Sequence, residues 1–482
     1  MLRFYEASSC VFCGKQWVKG EKMTIYVRGG LTVYDIAEMT GGRLLNPAEL
    51  KITHITTDSR DVPSGAMFIA IRGDRFDGNN YIESAFEKGA VCALADRMPQ
   101  DPSGCVIVVE DTRIALGKLA GAYKEKIAPL TVAVTGSVGK TTTKEFIYAV
   151  LCEKYNTLKT HGNFNNEIGL PMTLLGLSPE NDAVVLEMGM SGSGEIDYLS
   201  HIASPNIGVI TNVGTSHIGN LGSREAIRDA KMEIRNGFSP NGVLVLNGDE
   251  PLLEGVSGAC YVALHNPDAD CKVENIIEGV QGTAFDLVVK GERYESITIP
   301  TLGEHNVMNA AFAWQVGMLA GLGEFEIRRG LLKFKSPAMR QNIVDCKDRT
   351  IMEDCYNASP ESMEASLKVL ASMSKRQKRR SVAVLGDMKE LGDYSQEAHR
   401  RIGAAVVTYD IDVLITYGEC AKEIAAGALH FGMNHDNVYR FDGTEDPYAI
   451  GKAILRITKP TDIVLFKGSR AMAMEKLIEY LK

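Results

Sequence analysis

Two rhythms of apolar and polar residues alternate along this chain. Short apolar runs are separated by longer stretches with helical spacing. In the first quarter, Phe68-Ile-Ala-Ile71 and Val106-Ile-Val-Val109 predict strands, and Tyr81 to Gly89 and Ile114 to Lys126 predict helices. Leu130-Thr-Val-Ala-Val134, Ala183-Val-Val-Leu-Glu187, Ile207-Gly-Val-Ile-Thr211 and Val243-Leu-Val-Leu-Asn247 follow. They are too uniformly apolar for a sheet with one wet face. They predict a parallel sheet covered on both sides, with ligands gathered at the strands' carboxyl ends. Residues 260 to 300 are β-rich and end at Ile297-Thr-Ile-Pro300. A helix is predicted from His305 to Leu319, with Val307, Ala311, Trp314 and Met318 on one face. The last third repeats the α/β pattern, with strands at Ser381-Val-Ala-Val-Leu385, Asp412-Val-Leu-Ile-Thr416 and Asp462-Ile-Val-Leu-Phe466. Ser359-Pro360 supplies a cap and first-turn pair for the helix bearing Met363, Leu367 and Leu370.

The fold class is therefore α/β in three domains: residues 23–128 a small α/β domain, 129–336 a central doubly wound domain, and 337–482 a Rossmann-like α/β domain. Ala128-Pro129 and Lys335-Ser-Pro337 mark the boundaries. A length of 482 residues exceeds one ordinary domain. Residues 1–22 read as a poorly ordered extension without the apolar core of a signal peptide.

Composition narrows the partners. The net charge of −9 argues against nucleic acid. The basic run Lys375-Arg-Gln-Lys-Arg-Arg380 reads as a solvated connector. Ten cysteines are scattered rather than paired, which predicts a reducing cytoplasm. Cys10-Val-Phe-Cys13 is the one C-x-x-C, with no second pair to complete a zinc site. No apolar run is long enough to span a membrane, and nothing demands an oligomer, so a monomer is expected.

The chemistry centres on Thr135-Gly-Ser-Val-Gly-Lys-Thr-Thr-Thr143, between a strand and a helix start. Gly136, Ser137 and Gly139 let backbone N–H groups close on an anion, and the helix dipole adds favourable field. Lys140 is placed for terminal phosphates and Thr141 for Mg²⁺, with Thr142 beside it. Val134 stands where the full phosphate-loop pattern has its first glycine. Glu187 ends a strand after this loop, where a carboxylate can ligate Mg²⁺. His217, after the next strand, can ligate metal or orient a phosphate. Lys231 is either an ordinary exposed helix lysine or a lysine carbamylated by CO₂, which requires a neutral amine. Asn163, Asn165 and Asn166 form an amide cluster suited to sugar hydroxyls or diphosphate oxygens. Asp354, in Asp354-Cys-Tyr-Asn-Ala-Ser-Pro360, can take a ribose hydroxyl pair, and the following helix start an anion.

In this order the motifs resemble the Mur ligases of peptidoglycan synthesis, over about residues 23 to 482. The matching stretches include Thr135 to Thr142, Gly162 to Pro171, Glu187-Met-Gly-Met190, Thr211 to His217, Gly303 to Asn309, Asp354 to Pro360, Gly386 to Gly392 and Phe466 to Arg470. A glycine-shortened phosphate loop is normal in that family. The Asp-Asn-Pro-Arg motif of its diaminopimelate- or lysine-adding members is missing. Asn79 stands where the family often has His.

The resemblance implies a UDP-binding first domain and a P-loop-type ATPase centre. Its activity would be ATP-dependent joining of D-Ala-D-Ala to UDP-N-acetylmuramoyl-tripeptide through an acyl phosphate, in the cytoplasm. Another Mur ligase or a folylpolyglutamate-synthase-like amide ligase is the alternative. Carried over, Lys140 holds the β/γ-phosphates, Thr141 one of two Mg²⁺, and Glu187 and His217 the metals, with Lys231 as the carbamate. Asn306 and Asn309 reach the adenine side, and Arg340 and Asp354 grip ATP. Ser59 and Arg60 contact UDP, and Asn163, Asn165 and Asn166 the UDP-sugar. Tyr356, Asn357, Lys467, Ser469 and Arg470 lie near the dipeptide or the peptide terminus.

Overall fold

A computed structural model describes residues 24–73, 76–280, 282–346 and 348–482. The predicted extension 1–22, with Cys10 and Cys13, lies outside the described residues. The described chain divides into two compact units. The first comprises residues 24 to 123 with Leu174–Pro179. The second comprises Lys124–Thr173 and Glu180–Lys482.

The first unit holds a six-stranded sheet. From edge to edge its strands are Thr24–Thr32, Lys51–Thr56, Ala66–Ile69, Ala90–Ala95, Cys105–Val108 and Arg43–Leu45. The two outer pairings are antiparallel and the inner ones parallel. Phe68, Ala93 and Val106 form its core. Helix Thr112–Ile127 leads out of this unit, and Ala128 leaves the helix with φ 51° just before Pro129.

Two sheets make up the second unit. The larger has nine strands, in the order Thr157–Lys159, Ala183–Glu187, Leu130–Thr135, Ile207–Ile210, Val243–Asn247, Ala259–Ala263, Cys271–Glu278, Thr283–Val289 and Glu292–Ile299. The first seven run parallel, and the last two return as antiparallel hairpins. The strand order reverses beside Leu130–Thr135, which brings the ends of its two neighbours to the same point. Ligands collect at such a switch point.

Helix Glu304–Leu319 packs against helix Lys140–Leu151 and the sheet. The expected single apolar face is too narrow a description. Every residue from Asn306 to Gly317 is buried, because the helix is covered on several sides. Its Trp314 and Phe312 join Phe146, Ile147 and Val150 in one core.

The smaller sheet orders Asn342–Cys346, Arg349–Glu353, Ile463–Lys467, Ser381–Gly386, Val413–Tyr417 and Val438–Phe441. Only the first pairing is antiparallel. Ser359 caps helix Pro360–Gln377 with Pro360 in its first turn, as the sequence predicts. The basic connector after that helix is less solvated than expected. Arg380 forks onto Asp462 at 3.0 and 2.7 Å, and Arg379 donates to the Thr350 hydroxyl at 2.8 Å.

Candidate active site

The phosphate loop leaves Leu130–Thr135 and enters helix Lys140–Leu151, with Gly139 at the helix cap in the left-handed region (φ 85°). Its shape is set by the neighbouring strand end. Thr211 Oγ1 donates to Val138 O at 2.6 Å, and Asn212 Oδ1 accepts from the N–H groups of Ser137 and Val138 at 3.1 and 2.9 Å. Gly136 (φ 150°) has no room for a side chain, since a Cβ there would lie 1.9 Å from Thr211 Oγ1. The Lys140 ammonium donates to Gly136 O at 2.7 Å and Ser137 O at 3.3 Å. Burial lowers its pKa, Glu187 opposes that, and Arg340 reinforces it.

Glu187 ends its strand 3 % exposed. One oxygen accepts from Asn165 Nδ2 at 2.9 Å; the other, Oε2, is buried without a hydrogen-bond partner and lies 3.7 Å from Lys144 Nζ. Burial alone would raise the pKa of this carboxyl. The Lys144 charge, then Lys140 and Arg340, outweigh that and hold it below the usual range. Asn165 therefore faces Glu187, while Asn166 Oδ1 accepts from Gly169 N at the start of a short helix and Asn163 is exposed.

His217 takes a left-handed backbone (φ 64°), and its Nδ1 lies 2.9 Å from Glu390 Oε2. Burial lowers its pKa, with Glu390 opposing. Lys231, on helix Arg224–Met232, is 1 % exposed and not the surface lysine of the bland expectation. Burial drives its pKa well below the lysine range, and Lys140 adds to the effect. Among the described residues, no three His, Cys, Asp or Glu side chains gather as a metal-ligand group. A metal here would draw on the Thr141 hydroxyl and a modified Lys231 as well as Glu187 and His217.

The smaller-sheet lobe supplies the opposite wall. Asp354 Oδ2 pairs with Lys467 Nζ at 2.7 Å and accepts from Ser366. Burial would raise its pKa; Lys467, first among the opposing groups, holds it below the usual range. The Arg340 guanidinium stacks over Tyr356 at 4.4 Å, within cation–π range. Gln341 accepts from Asn306 Nδ2 at 2.9 Å, bonds His305 Nε2 at 2.8 Å and donates to Leu302 O at 2.9 Å. Asn309 lies at the phosphate end, accepting from Thr143 at 2.9 Å.

Eleven of the predicted residues line one cavity of about 790 Å³: Ser137, Gly139, Lys140, Thr141, Thr142, Asn306, Asn309, Arg340, Asp354, Asn357 and Lys467. Both lobes contribute. Gly136, Glu187, His217, Lys231, Asn163, Asn165, Asn166 and Tyr356 are outside the lining. So are Ser469, whose Oγ accepts from Lys389 N at 2.9 Å, and Arg470, which is held by Glu475. Ser59 and Arg60 belong to the other unit, where Arg60 forks onto Asp58 at 2.8 Å and Ser59 O accepts from Lys88. There Asn79 bridges Asp77 and Asp96 at 2.8 Å each.

Three contributors were not singled out from sequence. Asn212 shapes the loop, and Gln341 ties the lobes. Glu361 accepts from Thr215 N at 2.9 Å and Thr215 Oγ1 at 2.8 Å. Glu361 follows the Ser359-Pro360 cap, which is a signal for a helix start but not for this contact.

Three family models match: "Mur ligase family, catalytic domain" over residues 51–124, "Mur ligase middle domain" over 134–317, and "Mur ligase, glutamate ligase domain" over 339–470. The UDP-N-acetylmuramoyl-tripeptide–D-alanyl-D-alanine ligase of Bacillus subtilis is 41 % identical over 458 residues, covering 93 % of this chain and 98 % of that protein. The crystal structure of MurF from Acinetobacter baumannii superposes with a TM-score of 0.86 at 31 % identity, over 95 % and 100 % of the two chains. The MurF ligase of Thermotoga maritima in complex with ADP gives 0.78 at 29 % identity, over 88 % and 96 %.

Proposed function

The chain belongs to the Mur ligase family, and we propose that it joins D-Ala-D-Ala to UDP-N-acetylmuramoyl-tripeptide at the expense of ATP, in peptidoglycan precursor synthesis. The supporting observation is that the phosphate loop's Lys140 and Thr141 line one cavity together with Arg340, Asp354 and Lys467 of the other lobe. A carboxylate resists attack by an amine. Transfer of the γ-phosphoryl group from ATP to the peptide's terminal carboxylate, releasing ADP, makes an acyl phosphate. The dipeptide's amino group then attacks the acyl carbon, an amide forms, and phosphate leaves with the C–O bond pair. Lys140 and the loop N–H groups stabilise charge on the transferring phosphoryl group. Enclosure between two lobes keeps water from the acyl phosphate.

Magnesium fits the donor chemistry: Glu187 presents a buried, ionised carboxylate with an oxygen that has no hydrogen-bond partner, and the Thr141 hydroxyl and His217 would join it as ligands. Bound there, it supplies further charge neutralisation at the phosphates. Lys231 completes that set as a carbamate, formed when its neutral amine adds to CO₂ and releases a proton. Asn306 and Asn309 serve the nucleotide from the Glu304–Leu319 helix, and Arg340 and Asp354 from the other lobe. Ser59 and Arg60 serve the UDP group, Asn163, Asn165 and Asn166 the sugar, and Tyr356, Asn357, Lys467, Ser469 and Arg470 the peptide end. One copy of the chain suffices. With these substrates the proposed compartment is the cytoplasm; no described helix is long and apolar enough to cross a membrane.

The test is ADP release by the purified protein. It is expected to require both UDP-N-acetylmuramoyl-tripeptide and D-Ala-D-Ala, and to vanish in Lys140→Ala. Turnover without either substrate, or near-normal turnover in Lys140→Ala, overturns the reading.

A further inference from the structure

One turn after Lys140 on the same helix sits a second lysine that the reaction above does not use. Lys144 is 1 % exposed. Lysine is almost never buried this deeply unless paired, since its ammonium loses its hydration. The Lys144 ammonium has three neighbours. It donates to Thr160 O at 2.8 Å, lies 3.3 Å from Glu145 Oε1 and 3.7 Å from Glu187 Oε2.

These contacts converge on a small lattice. Thr160 Oγ1 accepts from Glu187 N at 3.0 Å, and Thr160 N donates to Val185 O at 2.9 Å. Asn165 Nδ2 donates to Glu187 Oε1 at 2.9 Å, and Asn165 O accepts from Gly189 N at 2.8 Å. The phosphate-loop helix, the Thr160–Asn166 segment and the end of the Ala183–Glu187 strand are three separate pieces of chain. Lys144, from the helix, reaches both of the others. Lys144 is absent from the cavity lining, so it acts through its neighbours rather than on substrate.

We infer that Lys144 is a positioning residue of this site: its ammonium fixes the Glu187 carboxylate and the Thr160–Asn166 segment in register with the phosphate-loop helix. The inference rests on the reading of Glu187 as a metal-facing carboxylate, and the test separates the two.

Lys144→Met keeps chain length and packing while removing the charge; Lys144→Arg keeps the charge. Amide hydrogen exchange is read at residues 160–166 and 187–189, with strands Ser381–Gly386 and Val413–Tyr417 as internal controls. Exchange at the first two segments should speed up about tenfold or more in Lys144→Met, with the controls unchanged. Turnover should fall roughly 10–100-fold, the range for partners that orient a metal ligand, while KM for ATP moves less than about threefold. Lys144→Arg should restore part of both. Adding Lys144→Met to Glu187→Gln should cost little more than Glu187→Gln alone, because both act through one carboxylate. Unchanged exchange at the two segments, losses that multiply in the double variant, or an arginine variant no better than methionine overturns the inference. If Glu187→Gln leaves the Mg²⁺ dependence of ADP release unchanged, the metal reading fails by itself, and Lys144 stands or falls on the exchange data. Should Lys144→Met not fold, Lys144→Gln carries the same comparison.

Discussion

Replacing Asp354 by Asn tests whether the wall opposite the phosphate loop is built on a buried ion pair. Asp354 and Lys467 lie 2.7 Å apart, with side chains only 16 % and 3 % exposed, so water screens the pair weakly. The amide removes the countercharge and leaves the Lys467 ammonium with neutral acceptors alone: the amide oxygen, and Asp354 O and Asn357 O at 3.4 Å. Removing one partner of a buried pair costs about 3–5 kcal/mol. At about 2–4 °C per kcal/mol for a lobe of this size, the thermal midpoint should fall by roughly 6–20 °C.

Replacing the pair by Asp354→Leu with Lys467→Met should recover most of that loss, because no lone charge remains buried. The Ser366 hydroxyl and Gln341 N–H would still lack their acceptor. ADP release should stay low in every variant, since both side chains line the cavity.

The pH dependence has a definite sign. Asp354 is held below the ordinary carboxylate range. Its contribution is therefore fully present above the unfolded pKa of about 3.9, and is lost as pH falls through the lower folded value. The gap between wild type and Asp354→Asn should hold steady near neutrality and close in strong acid. Calorimetry across that range measures it. An Asp354→Asn variant within about 1 kcal/mol of wild type refutes the reasoning. So does a double variant that falls by the sum of the singles.

Two further outcomes follow from the same site. Gly136→Ala should abolish ADP release and lower the thermal midpoint, because its Cβ would meet Thr211 Oγ1 at 1.9 Å in a backbone region that favours glycine; unchanged kinetics would show that the loop shifts freely. With ¹³C-bicarbonate, the wild type should show an acid-labile carbamate carbon that is lost in Lys231→Met, and turnover should drop when CO₂ is stripped; an unlabelled, fully active wild type would remove Lys231 from the metal set.

The sequence makes the architecture legible because its strands are continuous apolar runs and its Gly-Lys-Thr loop sits between a strand and a helix. The three large sheets and the capped helix at Ser359-Pro360 follow that pattern closely. What escaped is what depends on distant pieces of chain. Lys231 has the helical spacing of a surface lysine, and only packing reveals that it is buried. Asn165 reads as part of a sugar-binding cluster, and its further contact with Glu187, across 22 positions of sequence, has no local signal. Gln341 and Glu361 carry no local signal, since their partners lie in the other lobe. Lys467, grouped by motif with Ser469 and Arg470, also shares its charge with Asp354.

The stretch from Thr211 to His217 holds the phosphate loop at one end, through Thr211 and Asn212, and meets the other lobe at the far end, through Thr215 with Glu361 and His217 with Glu390. The shape of the phosphate loop and part of the contact between the lobes are thus carried by the same seven residues. A compound wedged under Thr215 would disturb both attachments at once, and escape by mutation would have to leave both intact.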